Sequence, residues 1–318
     1  MEDTIEKKEG KVLVTGGAGF IGSYLVDSLI DRGYQVIVVD SLITGHLDYL
    51  NSKAKFYEMD ITSDDLDSIF QKEKPDFVFH LAAHTQVRGS IKDPILDAQT
   101  NIIGTISILE CCKKHNVKKI IYTSTGGARY GEAQYLPMDE NHPNKPMAPY
   151  GISKYIAEHY CRIYQDLYGL DYLILCFSNV YGPRDAILNK RIITLFIDNI
   201  IKNQPTTIYG DGNQTRDFIY VTDLTEFLTE VFSQKTNHNI YNLGSGEGVS
   251  INDIFKKVKA ITNFTKEPQR VIANDGEVKN VVLDISRAKQ ELGWQPKTNL
   301  DQGILATFNW LKQLLDEK

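Results

Sequence analysis

Tyr150 and Lys154, in Tyr150-Gly-Ile-Ser-Lys154, have the types and spacing to move a proton near neutral pH. On a helix, residues four apart are neighbours on one face. A lysine ammonium beside a tyrosine favours the phenolate and lowers the phenol pKa, and a second cation bound nearby would lower it further. Tyr150 would then take a proton from a substrate hydroxyl as hydride leaves the same carbon. The strand-like run Ile120-Ile-Tyr-Thr-Ser124 and Thr125 end some 25 residues upstream. A hydroxyl from Thr125 or Ser124 could hydrogen-bond the same substrate oxygen. Tyr-x-x-x-Lys alone is common by chance, so the pair means something only if the chain also holds a hydride acceptor.

The stretch Lys11-Val-Leu-Val-Thr-Gly-Gly-Ala-Gly-Phe-Ile-Gly22 is suited to holding one. Val12, Leu13 and Val14 form an apolar run fit for a strand buried on both faces. Gly16, Gly19 and Gly22 follow at intervals of three, and Tyr24-Leu-Val-Asp-Ser-Leu-Ile30 continues with helical spacing. In a strand that turns sharply into a helix, Gly16 permits the turn, Gly19 lets backbone approach a pyrophosphate, and Gly22 allows close packing. The helix N-terminus offers N–H groups and a positive dipole to the phosphates. A second strand, Gln35-Val-Ile-Val-Val39, ends in Asp40, where an acid can hold the adenosine ribose hydroxyls. Neutral Ser41 follows, which favours NAD over its 2′-phosphorylated form. The nicotinamide of such a cofactor is the second cation for Tyr150, and Lys154 could hold its ribose.

Around these residues the chain alternates strand and helix from 11 to about 180. Strands are expected at 11–15, 35–40, 55–59, 77–81, 119–124 and 172–177, and helices near 20–32, 63–72, 91–115 and 148–168. The class is α/β, a doubly wound parallel (Rossmann) sheet, with a smaller C-terminal α/β lobe for substrate. The expected division is 1–179 for the dinucleotide domain and 180–318 for the lobe, with segments near 217–243 returning to the first domain. Asp60-Ile61 follows the third strand, where the carboxylate either meets the adenine amine or caps the next segment. His80-Leu-Ala-Ala-His84 ends the fourth strand with small residues that let a ligand cross the sheet edge. His84 and Arg88 beyond it are either cofactor or surface residues.

Composition excludes several other roles. The 318 residues carry a net charge of −6 with no long basic block, which argues against a nucleic-acid partner. Lys113, Lys114, Lys118 and Lys119 fall near a helix end, where the dipole favours cations. No apolar run approaches a membrane span, and Met1–Gly10 reads as a charged, frayed tail rather than a signal peptide. The four cysteines make no Cys-x-x-Cys pair and the seven histidines show no metal-ligand spacing. A cytoplasmic protein with buried thiols and no metal is expected. The stretches 91–115 and 148–168 carry more apolar surface (Ile95, Ile102, Ile106, Leu109; Tyr155, Tyr160, Ile163, Leu167) than one sheet face needs, which suggests a homodimer paired through these helices.

Thr15-Gly-Gly-Ala-Gly-Phe-Ile-Gly22, Asp40, His80-Leu-Ala-Ala83, Tyr150-x-x-x-Lys154, Asn179-Val-Tyr-Gly-Pro-Arg184 and Arg216-Asp-Phe-Ile-Tyr220 together resemble the extended short-chain dehydrogenase/reductase family. The resemblance runs from about 11 to 312 and is nearest the nucleotide-sugar epimerases, typified by the UDP-glucose 4-epimerases. It implies tightly held NAD, a UDP-sugar substrate and a homodimer. It implies cofactor contacts from Gly16, Gly19, Phe20, Ile21, Gly22 and Asp40. Further cofactor contacts would come from Asp60, Ile61, Leu81, Ala82, Ala83, Tyr150, Lys154 and Phe177. Asn179 and Arg216 would hold the substrate diphosphate, an arginine fork suiting paired hydrogen bonds to phosphate. Val281 matches a position that often limits the sugar pocket, where a small residue leaves room for an N-acetyl group.

The chain departs from the family pattern at three places. Cys176 stands where an arginine is frequent, and Asn274 replaces a second diphosphate arginine two residues before Gly276, with Arg270 a nearby substitute. A gapless match puts Gly126 at the family's hydroxyl position; one extra loop residue restores Thr125, ahead of Ser124. Related dehydratases and decarboxylases place an acid just after that hydroxyl, whereas this chain has Gly126-Gly127. The expected reaction is therefore inversion at C4 of a UDP-sugar (glucose/galactose, an N-acetyl form or a uronic acid) through a 4-keto intermediate. The alternatives are a nucleotide-sugar reductase, dehydrogenase or dehydratase, and a non-catalytic sensor that holds NAD as a ligand.

Overall fold

The computed structural model describes residues 10–185, 190–272 and 278–316. Its first half runs β1 (Lys11–Thr15), α1 (Phe20–Asp31), β2 (Gln35–Asp40), β3 (Lys55–Glu58), α2 (Leu66–Glu73), β4 (Phe77–His80), α3 (Val87–Lys92), α4 (Pro94–Ala98), α5 (Gly104–Lys114), β5 (Lys119–Thr125), α6 (Gly126–Tyr130), α7 (Pro149–Tyr168) and β6 (Asp171–Phe177). There follow β7 (Asn179–Tyr181), α8 (Ile192–Ile201), β8 (Thr207–Tyr209), β9 (Thr215–Arg216), β10 (Phe218–Tyr220), α9 (Val221–Val231), β11 (Ile240–Leu243), β12 (Val249–Ser250), α10 (Ile251–Thr262), β13 (Gln269–Val271), α11 (Ser286–Leu292) and α12 (Leu300–Asp316).

Seven strands make one sheet in the order β11-β6-β5-β4-β1-β2-β3. The chain starts in the middle, winds outward through β2 and β3, then returns to the other side of β1 with β4. That reversal is the topological switch of a doubly wound α/β sheet, and ligands bind such sheets beyond the strand ends at this place. Register aligns the ends: β1 is parallel to both neighbours, with Thr15 level with Val39 of β2 and with His80 of β4. The strands form because their apolar runs are covered on both faces. Val12, Leu13 and Val14 have no exposed surface, nor have Ile120, Ile121 and Tyr122.

One core cluster gathers Leu13, Ile37, Val78, Ile120 and Ile174 with Leu109, Ala157 and Cys161 of the flanking helices. On another side Phe232 packs its ring against Tyr34, Phe77 and Phe79, at centroid distances of 5.3, 5.0 and 5.2 Å. Burying an aromatic of this size contributes about 1.5–3 kcal/mol.

The stretch 91–115, expected as one helix, is broken. Lys92 ends α3; Asp93 Oδ1 accepts from Leu96 N at 2.9 Å and caps α4, with Pro94 in its first turn. Proline lacks the N–H that a continuing helix would use and fits a first turn, so the chain restarts there. A π-helical turn, Gln99–Ile103, then separates α4 from α5.

The chain divides into two compact units. One comprises the chain up to Thr125, Ala148–Cys176 and Thr225–Tyr241; the other comprises Gly126–Met147, Phe177–Leu224 and the chain from Asn242 onward. The second unit has its own core, in which Phe196 and Ile197 of α8, Ile254 and Val258 of α10, and Ile304 and Leu311 of α12 come together. Its strands pair in twos: β7 with β10 and β8 with β13 in parallel, β9 with β12 antiparallel. Among the described residues no helix is long and apolar enough to cross a membrane.

Candidate active site

In the first unit the glycine turn is built as its spacing predicts. Gly16 has φ +70°, a left-handed conformation that favours glycine, and its N–H donates to Val39 O at 2.9 Å. A Cβ on Gly16 would stand 2.8 Å from Ala82 N, and one on Gly22 only 2.0 Å from Gly16 O. Both glycines are thus required by close backbone approach. Gly19 is the N-cap of α1, and no side chain caps that helix, while Phe20 and Gly22 of its first turn are buried. Ile21, half-buried, lies between them.

Asp40 lies beside this turn, its carboxylate accepting from Ala18 N at 3.0 Å and Leu42 N at 2.8 Å. Burial pushes its pKa up and the two backbone bonds pull it down, with burial the larger effect. Asp60 is half-buried, and its Oδ1 accepts from both Thr62 N (2.8 Å) and Thr62 Oγ1 (2.7 Å), holding a turn ahead of α2. Ile61 is core, packed where a Cβ on Gly104 would come within 2.5 Å of it.

Thr15 and His80 tie the glycine turn to the end of β4. Thr15 Oγ1 accepts from Leu81 N (3.2 Å) and Ala82 N (3.1 Å), which leaves its proton for His80 Nδ1 at 2.7 Å. His80 Nε2 is 3.0 Å from Thr105 Oγ1, whose own proton goes to Asn101 O at 2.6 Å. These directions assign His80 as the neutral Nε2–H tautomer. Burial first, then the Lys154 charge, pushes its pKa down to about 3. Ala83, half-buried, follows this anchored segment.

The catalytic candidates lie at the end of β5 and on α7. The helix starts with Pro149 in its first turn and Ser90 Oγ accepting from Tyr150 N at 3.0 Å. Tyr150 and Thr125 are half-buried, whereas Lys154 and Ser124 are buried. Lys154 Nζ sits 4.2 Å from the centre of the Tyr122 ring, an attractive cation–π contact. Burial pushes the Lys154 pKa down to about 8, against the pull of Glu158, Cys161, Asp97 and Cys176. Ser124 Oγ donates to Glu158 Oε1 at 2.5 Å.

Behind α7 lies a buried polar group that sequence reasoning did not find. Asn101, inside the π-helical turn, shares its two Nδ2 protons among His84 O (3.0 Å), Asp97 Oδ1 (3.1 Å) and Ser153 Oγ (3.0 Å), and its Oδ1 accepts from His84 N at 2.8 Å. His84 Nδ1 is also 3.2 Å from Asp97 Oδ1, so His84 is anchored inward, while Arg88 is exposed. Glu158 was missed as well, although its place four residues beyond Lys154 was a usable signal.

The second unit holds the remaining candidates. Phe177 is buried, and Asn179 N donates to Asp217 O at 2.9 Å. Arg216 Nη1 donates to Thr215 O (2.8 Å) and Lys279 O (3.0 Å). Arg270 is fastened to Asp211 O (2.7 Å) and Asn252 Oδ1 (3.0 Å). Val281 is buried in an apolar cluster with Tyr130, Met138 and Leu283. Gly126 and Gly127 face the same cluster: a Cβ on Gly126 would lie 2.5 Å from Leu283 Cδ1, and one on Gly127 3.4 Å from Val281 Cγ1. Asn274 and Gly276 lie outside the described residues.

Residues 13–307 match the family model described as GDP-mannose 4,6 dehydratase. The chain is 45% identical over 302 residues to a putative UDP-glucose 4-epimerase of Methanocaldococcus jannaschii, covering 95% of this chain and 98% of that one. It belongs to the nucleotide-sugar epimerase branch of the extended short-chain dehydrogenase/reductases. Among solved structures of this family, UDP-glucose 4-epimerase of Thermotoga maritima, with UDP-glucose, superposes with TM-score 0.94 at 41% identity, covering 96% of this chain and 99% of that one. The Thermus thermophilus UDP-glucose 4-epimerase complex with NAD superposes with TM-score 0.90 at 34% identity, covering 95% and 99%. An extended short-chain dehydrogenase/reductase uses NAD, and the glycine turn here fits one. A Cβ at Gly19 would crowd Gly16 O at 3.1 Å, the uncapped start of α1 faces the turn, and Asp40 is held beside it.

Proposed function

We propose that this protein inverts C4 of a UDP-sugar with tightly held NAD, using Tyr150 as base, Lys154 as its electrostatic partner and Thr125 as the second hydrogen-bond donor to the reacting oxygen. Tyr150 takes the proton of the sugar 4-hydroxyl. NAD held by the glycine turn would supply a reversible hydride acceptor for C4, so that inversion would consume no cofactor. Tyr150 then gives its proton back to O4. The observation that carries this reading is the Tyr150/Lys154 pair on one helix with no acid after Thr125. Dehydration requires an acid to help expel a leaving group, and Gly126-Gly127 instead pack on the apolar cluster around Val281 and Leu283.

Thr125 is preferred to Ser124 because the single Ser124 hydroxyl proton is committed to Glu158. A side chain at Gly126 would press on Leu283, which supports taking the hydroxyl from Thr125. Gly16, Gly19, Phe20, Ile21, Gly22, Asp40, Asp60, Ile61, Leu81, Ala82, Ala83 and Phe177 are assigned to the cofactor; Asn179, Arg216 and Val281 are assigned to the substrate. The small Val281 favours acceptance of N-acetylated sugars. Cys111, Cys112, Cys161 and Cys176 are buried thiols rather than disulfides, which supports a cytoplasmic location.

The test is a product assay on purified protein with a panel of UDP-glucose, UDP-galactose, their N-acetyl forms and UDP-glucuronate, with no cofactor added. Conversion of at least one sugar to its 4-epimer, with NAD released only on denaturation, is expected. Turnover that requires stoichiometric NAD(H) would instead identify a reductase.

A further inference from the structure

Tyr150, Lys154 and Glu158 follow one another at four-residue spacing along α7 and so share a face. Glu158 and Lys154 each expose 3% of their surface, and Ser124, its hydroxyl 2.5 Å from Glu158 Oε1, exposes 5%. A carboxylate this deep is costly unless it is paired and hydrogen-bonded. We infer that Glu158 is a positioning residue for the reaction: it latches the end of β5 to α7 through Ser124 and keeps Lys154 protonated one helical turn away. This rests on the reading of Tyr150 as base with a charged Lys154 beside it.

The surroundings of Lys154 show why such a group is needed. Tyr122 of β5 lies against the ammonium, His80 of β4 is neutral, Asp97 of α4 is a further anion, and Cys161 of α7 and Cys176 of β6 are buried thiols. Tyr150, on its own helix, is the group it serves. Burial works against the charged lysine, and Glu158 is the foremost of the groups that oppose this. A neutral Lys154 would no longer favour the Tyr150 phenolate, nor donate a charged hydrogen bond to a ribose. Glu158 thus acts on the reaction through Lys154.

The experiment compares wild type, Glu158→Gln, Ser124→Ala and Tyr150→Phe as NAD-loaded proteins. Two quantities are followed against pH: kcat for a UDP-sugar that wild type converts, and the fraction of NAD retained through gel filtration. Glu158→Gln keeps an oxygen for Ser124 but removes the charge. Its alkaline limb of kcat is expected about one to two pH units below that of wild type, with NAD lost at correspondingly lower pH. Ser124→Ala, which keeps the carboxylate, is expected to hold the wild-type limb whatever its effect on kcat. A Glu158→Gln limb coincident with wild type, or an equal shift in Ser124→Ala, would overturn the inference. Should Glu158→Gln fail to fold, Glu158→Asp retains the charge but withdraws it by one methylene. A smaller downward shift is then expected, and an unmoved limb counts against the inference. Full activity of Tyr150→Phe would mark the failure of the base assignment instead.

Discussion

At the scale of single residues, His80 shows how a titratable group can be made inert. It is fully enclosed, held at both ring nitrogens by threonine hydroxyls, and its pKa is pushed down to about 3 by burial and the Lys154 charge. In the unfolded chain the same side chain titrates near 6.5. Its stabilising contribution is therefore complete above pH 6.5 and is lost as pH falls toward about 3, because only the unfolded state binds the proton in that window. Replacing it with glutamine is expected to lower the melting temperature at pH 7 but flatten its decline between pH 6 and 4. A variant melting curve that declines as steeply as wild type over that range would show that other groups control acid unfolding. The geometry of the Tyr150/Lys154 pair on one helix, and of the three glycines with Asp40 beside their turn, was legible because each spacing within its own segment already implies it. Asn101 was not, since two of its partners, His84 and Ser153, come from other pieces of chain.

At the scale of elements, the turn from β1 into α1 depends on the absence of side chains. Gly22→Ala would place a methyl group 2.0 Å from Gly16 O, a backbone atom that cannot move without reshaping the turn. The expected result is a loss of about 1–3 kcal/mol in stability and failure to retain NAD. Thermal melting and NAD released by denaturation would measure both, and a variant matching wild type in each would remove the packing argument. The strands were readable because apolar runs covered on both faces have few other solutions. The break in 91–115 had a visible cue in Asp93-Pro94, but continuous apolar spacing on both sides masked it. The π-helical turn had no cue, because side-chain bonds from elsewhere stabilise it.

At the scale of the whole molecule, the first unit leaves large apolar side chains in water. Ile91, Ile95 and Ile103 are 52%, 70% and 53% exposed on the 87–114 stretch, and Ile152 and Leu167 are 45% and 64% exposed on α7. These side chains are concentrated on elements that pack against one another, since α3, α4 and α5 all contact α7. Their placement on the two expected helical stretches supports the homodimer expected from the sequence. Light scattering on wild type is expected to give twice the mass of one chain, and Ile95→Glu with Leu167→Glu to give a monomer that still binds NAD. A monomeric wild type would show that this apolar surface does not pair two copies of the chain.

The same unit is also discontinuous along the chain. Its edge strand β11 begins at Ile240, and the ring that packs on Tyr34, Phe77 and Phe79 belongs to Phe232. During synthesis on a ribosome the dinucleotide-binding sheet therefore cannot be completed until some 60 residues beyond β6 have emerged. Until then the nascent chain carries an open sheet edge and uncovered aromatics, which makes it a natural client for chaperones. A fragment stopping near residue 180 should behave as a trapped nascent chain rather than as an isolated cofactor-binding domain.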